Sequence, residues 1–326
     1  MNMINSTNPV VSKPAANRLS LIQQYGMFFI LILVAAIFTM LTPNFLTPSN
    51  LINILRQVSV IGIVAAGQTL VIITAGIDLS VGSIVGLSGA VSAGVTLATG
   101  NAFLGIAAGL LTGLVFGVAN GLLISRLKLT PFIVTLASMT MLSGFTLIYT
   151  GGNPILVTNP VYKFIGQGYI GPIPFPVVVL LLVYAILYFM LKRTVHGQYI
   201  YAIGGNEKAS LLAGVRVNLH KTIVYGTSGL LAGLASIILT ARLSSATPVA
   251  GTGYELDAIA AVILGGTSLF GGKGSVVGTL IGVLLLGILT SGMNLINVSP
   301  FYQNVAKGLI VLLAVIIDRM INKEKQ

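Results

Sequence analysis

From residue 21 onward the chain is a succession of apolar stretches broken by glycine, proline or charge: 21–41, 54–75, 79–99, 103–124, 131–149, 176–191, 222–241, 256–270, 275–292 and 303–318. A helical stretch of about 20 residues spans the roughly 30 Å hydrocarbon core of a bilayer. A helix also satisfies its own backbone where no water is available. The pattern predicts an all-α, polytopic membrane protein of about ten transmembrane helices. Composition agrees: 55% of residues are hydrophobic, and 17 basic and 6 acidic side chains among 326 residues are too few to cover a soluble globule of this size.

The formal charge of +11 would suggest nucleic acid in a soluble protein. Here the placement of the basic residues argues for a membrane orientation instead. With the N-terminus in the cytoplasm, ten crossings put Lys13, Arg18, Arg126, Lys128, Lys192, Arg193, Lys208, Arg216, Lys221, Lys273, Arg319, Lys323 and Lys325 inside. Arg56, Lys163, Arg242 and Lys307 are left elsewhere. The positive-inside rule therefore predicts both termini in the cytoplasm, with no nucleic-acid partner. Residues 1–20 read as a cytoplasmic tail, 21–321 as the transmembrane domain and 322–326 as a second cytoplasmic tail. Leu21 to Leu41 is too long for a signal-peptide core and is followed by Thr42, Pro43 and Asn44 rather than a small-residue cleavage site.

Two stretches, 176–191 and 256–270, are short for a crossing, and the second contains Gly265 and Gly266. One of them is expected to be broken or re-entrant, which is tolerated where backbone is buried in protein or lines a cavity. Gly109 to Gly121 resembles Gly278 to Asn294 in its spacing of small residues. These stretches fall five helices apart, and an odd offset implies a 5+5 inverted repeat. The plain alternative is close helix packing through small residues.

Chemistry is sparse. The chain has no cysteine, and His196 and His220 stand alone in sequence, so no metal or cofactor site is expected. No nucleophile with a base and no pair of membrane carboxylates suggests an enzyme or a proton-coupled carrier. Gly265 to Gly274 has the flavour of a phosphate-binding loop, but the spacing is wrong. If ATP drives this protein, another chain must hydrolyse it.

Three polar segments stand out. In the loop from Lys192 to Lys221, Asn206 suits an N-cap, Glu207 the positive end of a helix dipole and Gly214 a left-handed stop. The short helix between them carries Lys208 and sets Leu211 and Leu212 toward a partner surface, or else toward lipid headgroups. Asp78, with Ser80 and Ser83 nearby, is the only carboxylate before residue 207. It is either an N-cap for the third span or a substrate contact. Arg242 to Asp257 forms a turn-rich outer segment in which Glu255 or Asp257 could pair with Arg242 as a gate, or simply cap a helix. Within the spans, Gln68, Thr69, Asn120, Thr267, Ser268 and Asn294 are neutral hydrogen-bonding groups. They suit an uncharged polar solute or interhelical bonding.

At these residues the chain resembles the permease subunits of the ribose-type branch of bacterial ABC importers. The markers are Thr42 to Phe45, Gly76 to Ser83, Tyr201 to Glu207, Ala241 to Ala246 and, most specifically, Gly251 to Ser268. The resemblance implies a permease homodimer in the cytoplasmic membrane, a cytoplasmic ATPase and an extracytoplasmic sugar-binding protein. It also implies alternating access for a monosaccharide, D-ribose foremost, with Asn206 to Gly214 as the coupling helix. Permeases for other sugars, autoinducer-2, nucleosides or branched-chain amino acids share this architecture. A stand-alone secondary carrier is the alternative from another class.

Overall fold

The computed structural model describes residues 16–323. The segments 1–15 and 324–326, which hold most of the two expected tails, lie outside the described residues. The long helices are α1 (Ala16–Leu41), α2 (Pro48–Ile73), α3 (Val81–Thr99), α4 (Ala102–Arg126), α5 (Pro131–Thr150), α7 (Phe175–Arg193), α10 (Val217–Leu243), α12 (Val276–Leu295) and α13 (Pro300–Lys323). Short helices are α6 (Pro160–Gln167), α8 (Val195–Gly205), α9 (Glu207–Leu212) and α11 (Tyr254–Leu264). Seven of the described helices are long and apolar enough to cross a membrane, and the described part of α1 adds a shorter apolar stretch.

Start and stop signals account for several boundaries. Thr47 caps α2 by accepting from the Asn50 amide at 3.4 Å, with Pro48 at the first helical position. Asn101 caps α4, and Gly100 and Gly151 end α3 and α5 in the left-handed conformation. The Ala102–Arg126 and Pro131–Thr150 helices match the apolar stretches closely because a cap or a proline punctuates each start.

The centre is the pair α2 and α10. The most apolar eighteen residues of α2 are 83% buried and those of α10 72% buried, against 28% for α4 and α5. Helices α3, α4, α11 and α12 pack around this pair. Helices α1, α5, α7 and α13 carry large exposed side chains such as Phe29, Ile148, Phe189 and Phe301. In water such a surface would drive association, whereas in lipid it is the expected exterior.

Small residues permit the closest approach. Gly113 and Gly117 of α4 lie against the backbone of Gly229 and Gly233 of α10, so that a Cβ on Gly229 would overlap Gly113 O and stand 2.7 Å from Gly117 Cα. Gly278 and Gly282 of α12 likewise meet Gly265 and Ala261. Membrane helices, lacking a strong solvent-driven force between them, associate through such close packing.

The break expected at 256–270 is present. Helix α11 ends at Leu264 after 11 residues, about 16 Å of rise, and Gly265 to Ser275 continue as turns. The other short stretch, 176–191, is one unbroken helix, α7. Two small antiparallel strand pairs, one of them a hairpin, lie at the end of the molecule that carries α6. There β1 (Ile155–Leu156) pairs with β4 (Ser245–Ala246), and β2 (Tyr169–Ile170) pairs with β3 (Ile173–Pro174). Neither these nor α6 and α8 were expected from hydropathy, because each is too short or too polar to register as a span.

Gly229→Ala should lower the stability of the purified protein by about 1–3 kcal/mol, the usual cost of overpacking. Gly144→Ala, where an added Cβ meets nothing within 4 Å, should be close to neutral. Thermal unfolding of the two variants in one detergent checks the difference.

Candidate functional site

The first candidate region is the short helix α9. Asn206 accepts from the Ala209 amide at 2.9 Å, and Gly214 has φ +83°, so both expected end signals operate. Leu211 and Leu212 are 62% and 90% exposed and Lys208 is also exposed. A cleft of about 420 Å³ beside them is lined by Leu122, Arg126, Leu211, Val215, Arg216 and Leu219, among others. Helix α9 therefore presents apolar side chains, flanked by two guanidinium groups, away from its own protein.

It is also tied firmly to that protein. Glu207 pairs with Lys221 of α10 at 2.5 Å and with Lys128, between α4 and α5, at 3.8 Å. Lys128 donates to Asn218 at 2.9 Å. Behind α9, Gly204 of α8 lies against Ile73 O at the end of α2, and the Gly272 amide donates to the same carbonyl at 2.9 Å. Tyr201 donates to Gly274 O at 2.9 Å, and burial raises its phenol above the ordinary range, keeping it a donor. A displacement of α9 thus reaches α2, α10 and the broken segment after α11 through direct contacts.

His196 and His220, which stand apart in sequence, are partners in space. Their Nδ1 atoms are 2.6 Å apart, and Tyr199 sets its edge against the His220 ring. One nitrogen must donate and the other accept, so the pair holds at most one proton between these two atoms. The expectation of isolated histidines failed because 24 residues of chain separate two groups that the α8–α10 packing brings together.

The second region is buried. Asp78 Oδ1 accepts from the Ser80 amide at 2.9 Å and the Ser80 hydroxyl at 2.6 Å. Ser80 Oγ accepts from Asn120 Nδ2 at 2.9 Å, and Ser138 Oγ donates to Asn120 Oδ1. The network joins the α2–α3 turn to α4 and α5. The Gln68 amide, oriented to satisfy both its ends, spans the Asp78 backbone N and O at 3.2 and 3.3 Å. Thr69 meets Thr279 of α12 at 2.8 Å. Asp78 is not the N-cap of α3: that position is Ser80, and its side chain makes no capping bond. Asp78 instead closes a turn two residues earlier.

Gln68, Thr69, Asp78, Ser80, Asn120 and Thr267 are all at most 1% exposed. In this conformation they bond helices to one another. Thr267 accepts from the Ser275 amide at 3.4 Å within the turns after α11. Asn294 is exposed at the end of α12, where it accepts from Gln303 at 2.7 Å, so it fastens the turn to α13 and is not inside the bundle.

The third region, near α6, corrects the expected pairing. Arg242 bonds Asn53 Oδ1 at 3.0 Å and no carboxylate. Asp257 pairs with Lys307 at 2.9 Å, and Glu255 accepts from the Gly253 amide at 3.2 Å at the start of α11. Of the two alternatives for these carboxylates, pairing with Arg242 fails because α13 brings Lys307 to Asp257. Arg56 donates to Gln167 O at 2.8 Å and lies over the Tyr169 ring at 4.8 Å.

These features define a multi-pass helical membrane protein with a short, firmly anchored helix, α9, whose leucines are exposed. The family model described as "Branched-chain amino acid transport system / permease component" matches residues 50–316, and the chain belongs to that family. It is 51% identical to the ribose import permease protein RbsC of Bacillus subtilis (strain 168) over 91% of this chain and 93% of that one. It is 47% identical to the protein of the same name from Escherichia coli (strain K12), over 91% and 94%. Identity to the D-allose transport system permease protein AlsC of the same strain is 42%, over 92% and 93%. No solved structure gives a significant match.

Burial, and the charge of His220, hold the His196 imidazole below its ordinary range. The unfolded chain takes up that proton near pH ~6.5 while the folded chain takes it up only at lower pH. Stability linked to His196 is therefore fully present above that value and falls as pH drops below it. His196→Gln should flatten part of the decline in unfolding temperature between pH 7.5 and about 5.5.

Proposed function

We propose that this chain is the membrane-spanning permease subunit of an ATP-driven importer that moves a monosaccharide, D-ribose foremost, across a bacterial cytoplasmic membrane by alternating access. The observation that carries the reading is the 51% identity, along 91% of the chain, to a ribose import permease. ATP hydrolysis belongs to a separate cytoplasmic chain, and sugar arrives from an extracytoplasmic binding protein. Two copies of the permease form the path. Other sugars fit the same architecture, the D-allose relative at 42% being an example.

In this reading α9 is the coupling helix. Leu211, Leu212 and the cleft beside them receive the ATPase, while Glu207 and the α8 glycines pass its motion to α2, α10 and the α11 break. Both termini are cytoplasmic, and ten crossings are made by α1, α2, α3, α4, α5, α7, α10, α11 with its following turns, α12 and α13. The charge rule supports this orientation. A 5+5 inverted repeat is supported by a shared packing habit: Gly105 and Gly109 seat α4 against α3 as Gly278 and Gly282 seat α12 against α11. Asp78, Ser80, Asn120 and Gln68 hold the interior against which the path opens, and Arg242, Glu255 and Asp257 lie at its outer end. Binding the sugar differently in two states is what couples cargo to the cycle.

Leu212→Asp should cut D-ribose uptake about tenfold or more, the effect of losing ~1.4 kcal/mol of docking, with membrane insertion unchanged. Uptake of labelled D-ribose and D-allose in cells lacking their own permease reads both coupling and cargo; unaltered uptake by the variant would remove the coupling role of α9.

The chain is free of cysteine, so single cysteines at Lys208 and Thr252 can be labelled by membrane-impermeant reagents. Labelling from opposite faces is expected, and labelling from the same face would overturn the topology.

A further inference from the structure

The cleft of about 420 Å³ beside α9 combines two kinds of surface. Its apolar wall comes from three elements: Leu122 of α4, Leu211 of α9 and Leu219 of α10. Leu211 and Leu219 are 62% and 49% exposed, and Leu212, next along α9, is 90% exposed. Its charged wall is Arg126, at the end of α4, and Arg216, just before α10. Both arginines are exposed.

The protein leaves these two guanidinium groups unmatched while it matches their neighbours. Glu207 takes Lys221 and Lys128, and Lys128 also donates to Asn218, itself a lining residue, at 2.9 Å. The carboxylates that form ion pairs among the described residues are Glu207 and Asp257, and neither pairs with Arg126 or Arg216. Helix α10 also starts at this cleft without a side-chain cap, so the positive end of its dipole adds to the same field.

The chemistry that answers this surface is a carboxylate beside apolar side chains. A guanidinium is weakly hydrated and presents a planar fork that a carboxylate meets with two hydrogen bonds. Those bonds strengthen when neighbouring leucines are covered and water leaves. A free anion would answer the charge and leave Leu211 and Leu212 in water. A protein surface answers both at once.

Resting on the reading of α9 as the coupling helix, we propose that Arg126 and Arg216 recognise carboxylate side chains of the ATPase chain, whose segment at this cleft is apolar with an acidic edge. The leucines supply contact area, and the arginines fix the register of docking and speed the encounter.

The test measures binding of the purified cognate ATPase to the full-length permease in lipid nanodiscs, at low and high salt. Replacing both arginines, Arg126→Gln with Arg216→Gln, should raise the dissociation constant about tenfold in about 0.05 M NaCl and far less in about 0.5 M, because salt screens exposed charge. Arg126→Lys with Arg216→Lys should restore only part of the loss, since the charge returns without the fork. Leu212→Asp should weaken binding at both salt concentrations. Thermal unfolding of each variant shows that the permease itself is intact. Weakening by Leu212→Asp with full affinity in the double glutamine variant would overturn the proposal and leave the coupling role of α9 standing. Full affinity in both variants would remove the coupling role and the proposal together. An arginine effect seen in nanodiscs of phosphatidylglycerol and absent in nanodiscs of phosphatidylcholine would assign the guanidinium groups to lipid phosphate, and would also overturn the proposal.

Discussion

A bilayer offers a peptide group no hydrogen-bond partner, and the rest of this structure follows from how the chain meets that constraint where its helices stop. Helix α11 ends after 11 residues, and the turns that follow satisfy themselves within the protein. The Gly272 amide donates to Ile73 O at 2.9 Å and the Ser268 amide to Lys273 O at 3.1 Å. These bonds require the segment to lie against the end of α2, and Gly204 of α8 is packed there too. Gly271 and Gly272 both have positive φ, +81° and +72°, which a β-carbon would disfavour. The broken segment is therefore held by the same surfaces that carry α8 and α9.

That arrangement gives α9 its mechanical meaning. A short helix on a loose loop would absorb displacement. Here Glu207 reaches Lys221 and Lys128, two charges from different parts of the chain, and α8 is wedged by backbone contact. A partly exposed ion pair adds little stability by itself, but together with tight backbone packing it restricts the directions in which α9 can move. The side chains left exposed, Leu211 and Leu212, are those such a helix would use to receive a partner.

Much of the fold was legible because length and polarity alone select a membrane crossing: the ends of α4 and α5 fall within two residues of the apolar stretches, and α9 announced its caps through Asn206 and Gly214. Contacts across the fold were not legible. Arg242 stood as a partner for Glu255 or Asp257, with helix capping as the alternative, whereas Asp257 pairs with Lys307 of α13. His196 and His220 looked solitary for the same reason. Hydropathy also cannot separate a polar residue that lines a path from one that bonds two helices. Thr69 and Asn120 look alike in sequence to pathway residues, yet both spend their hydrogen bonds inside the bundle.

The four basic residues that break the charge rule lead to a further structural point. Lys307 is matched by Asp257. Arg56 and Arg242 come from the central helices α2 and α10 and turn to neutral oxygens, Gln167 O and Asn53 Oδ1. Gln167 also donates to the carbonyls of Ala241 and Arg242 at 3.2 and 3.1 Å, so α6 straps the ends of α2 and α10 together. This gives a reason for α6, which hydropathy reads as a loop: its polar end closes the central pair at the end opposite α9. The same two helices are thus bound at one end by side-chain amides and guanidinium groups, and at the other by glycine backbone contacts and an ion pair.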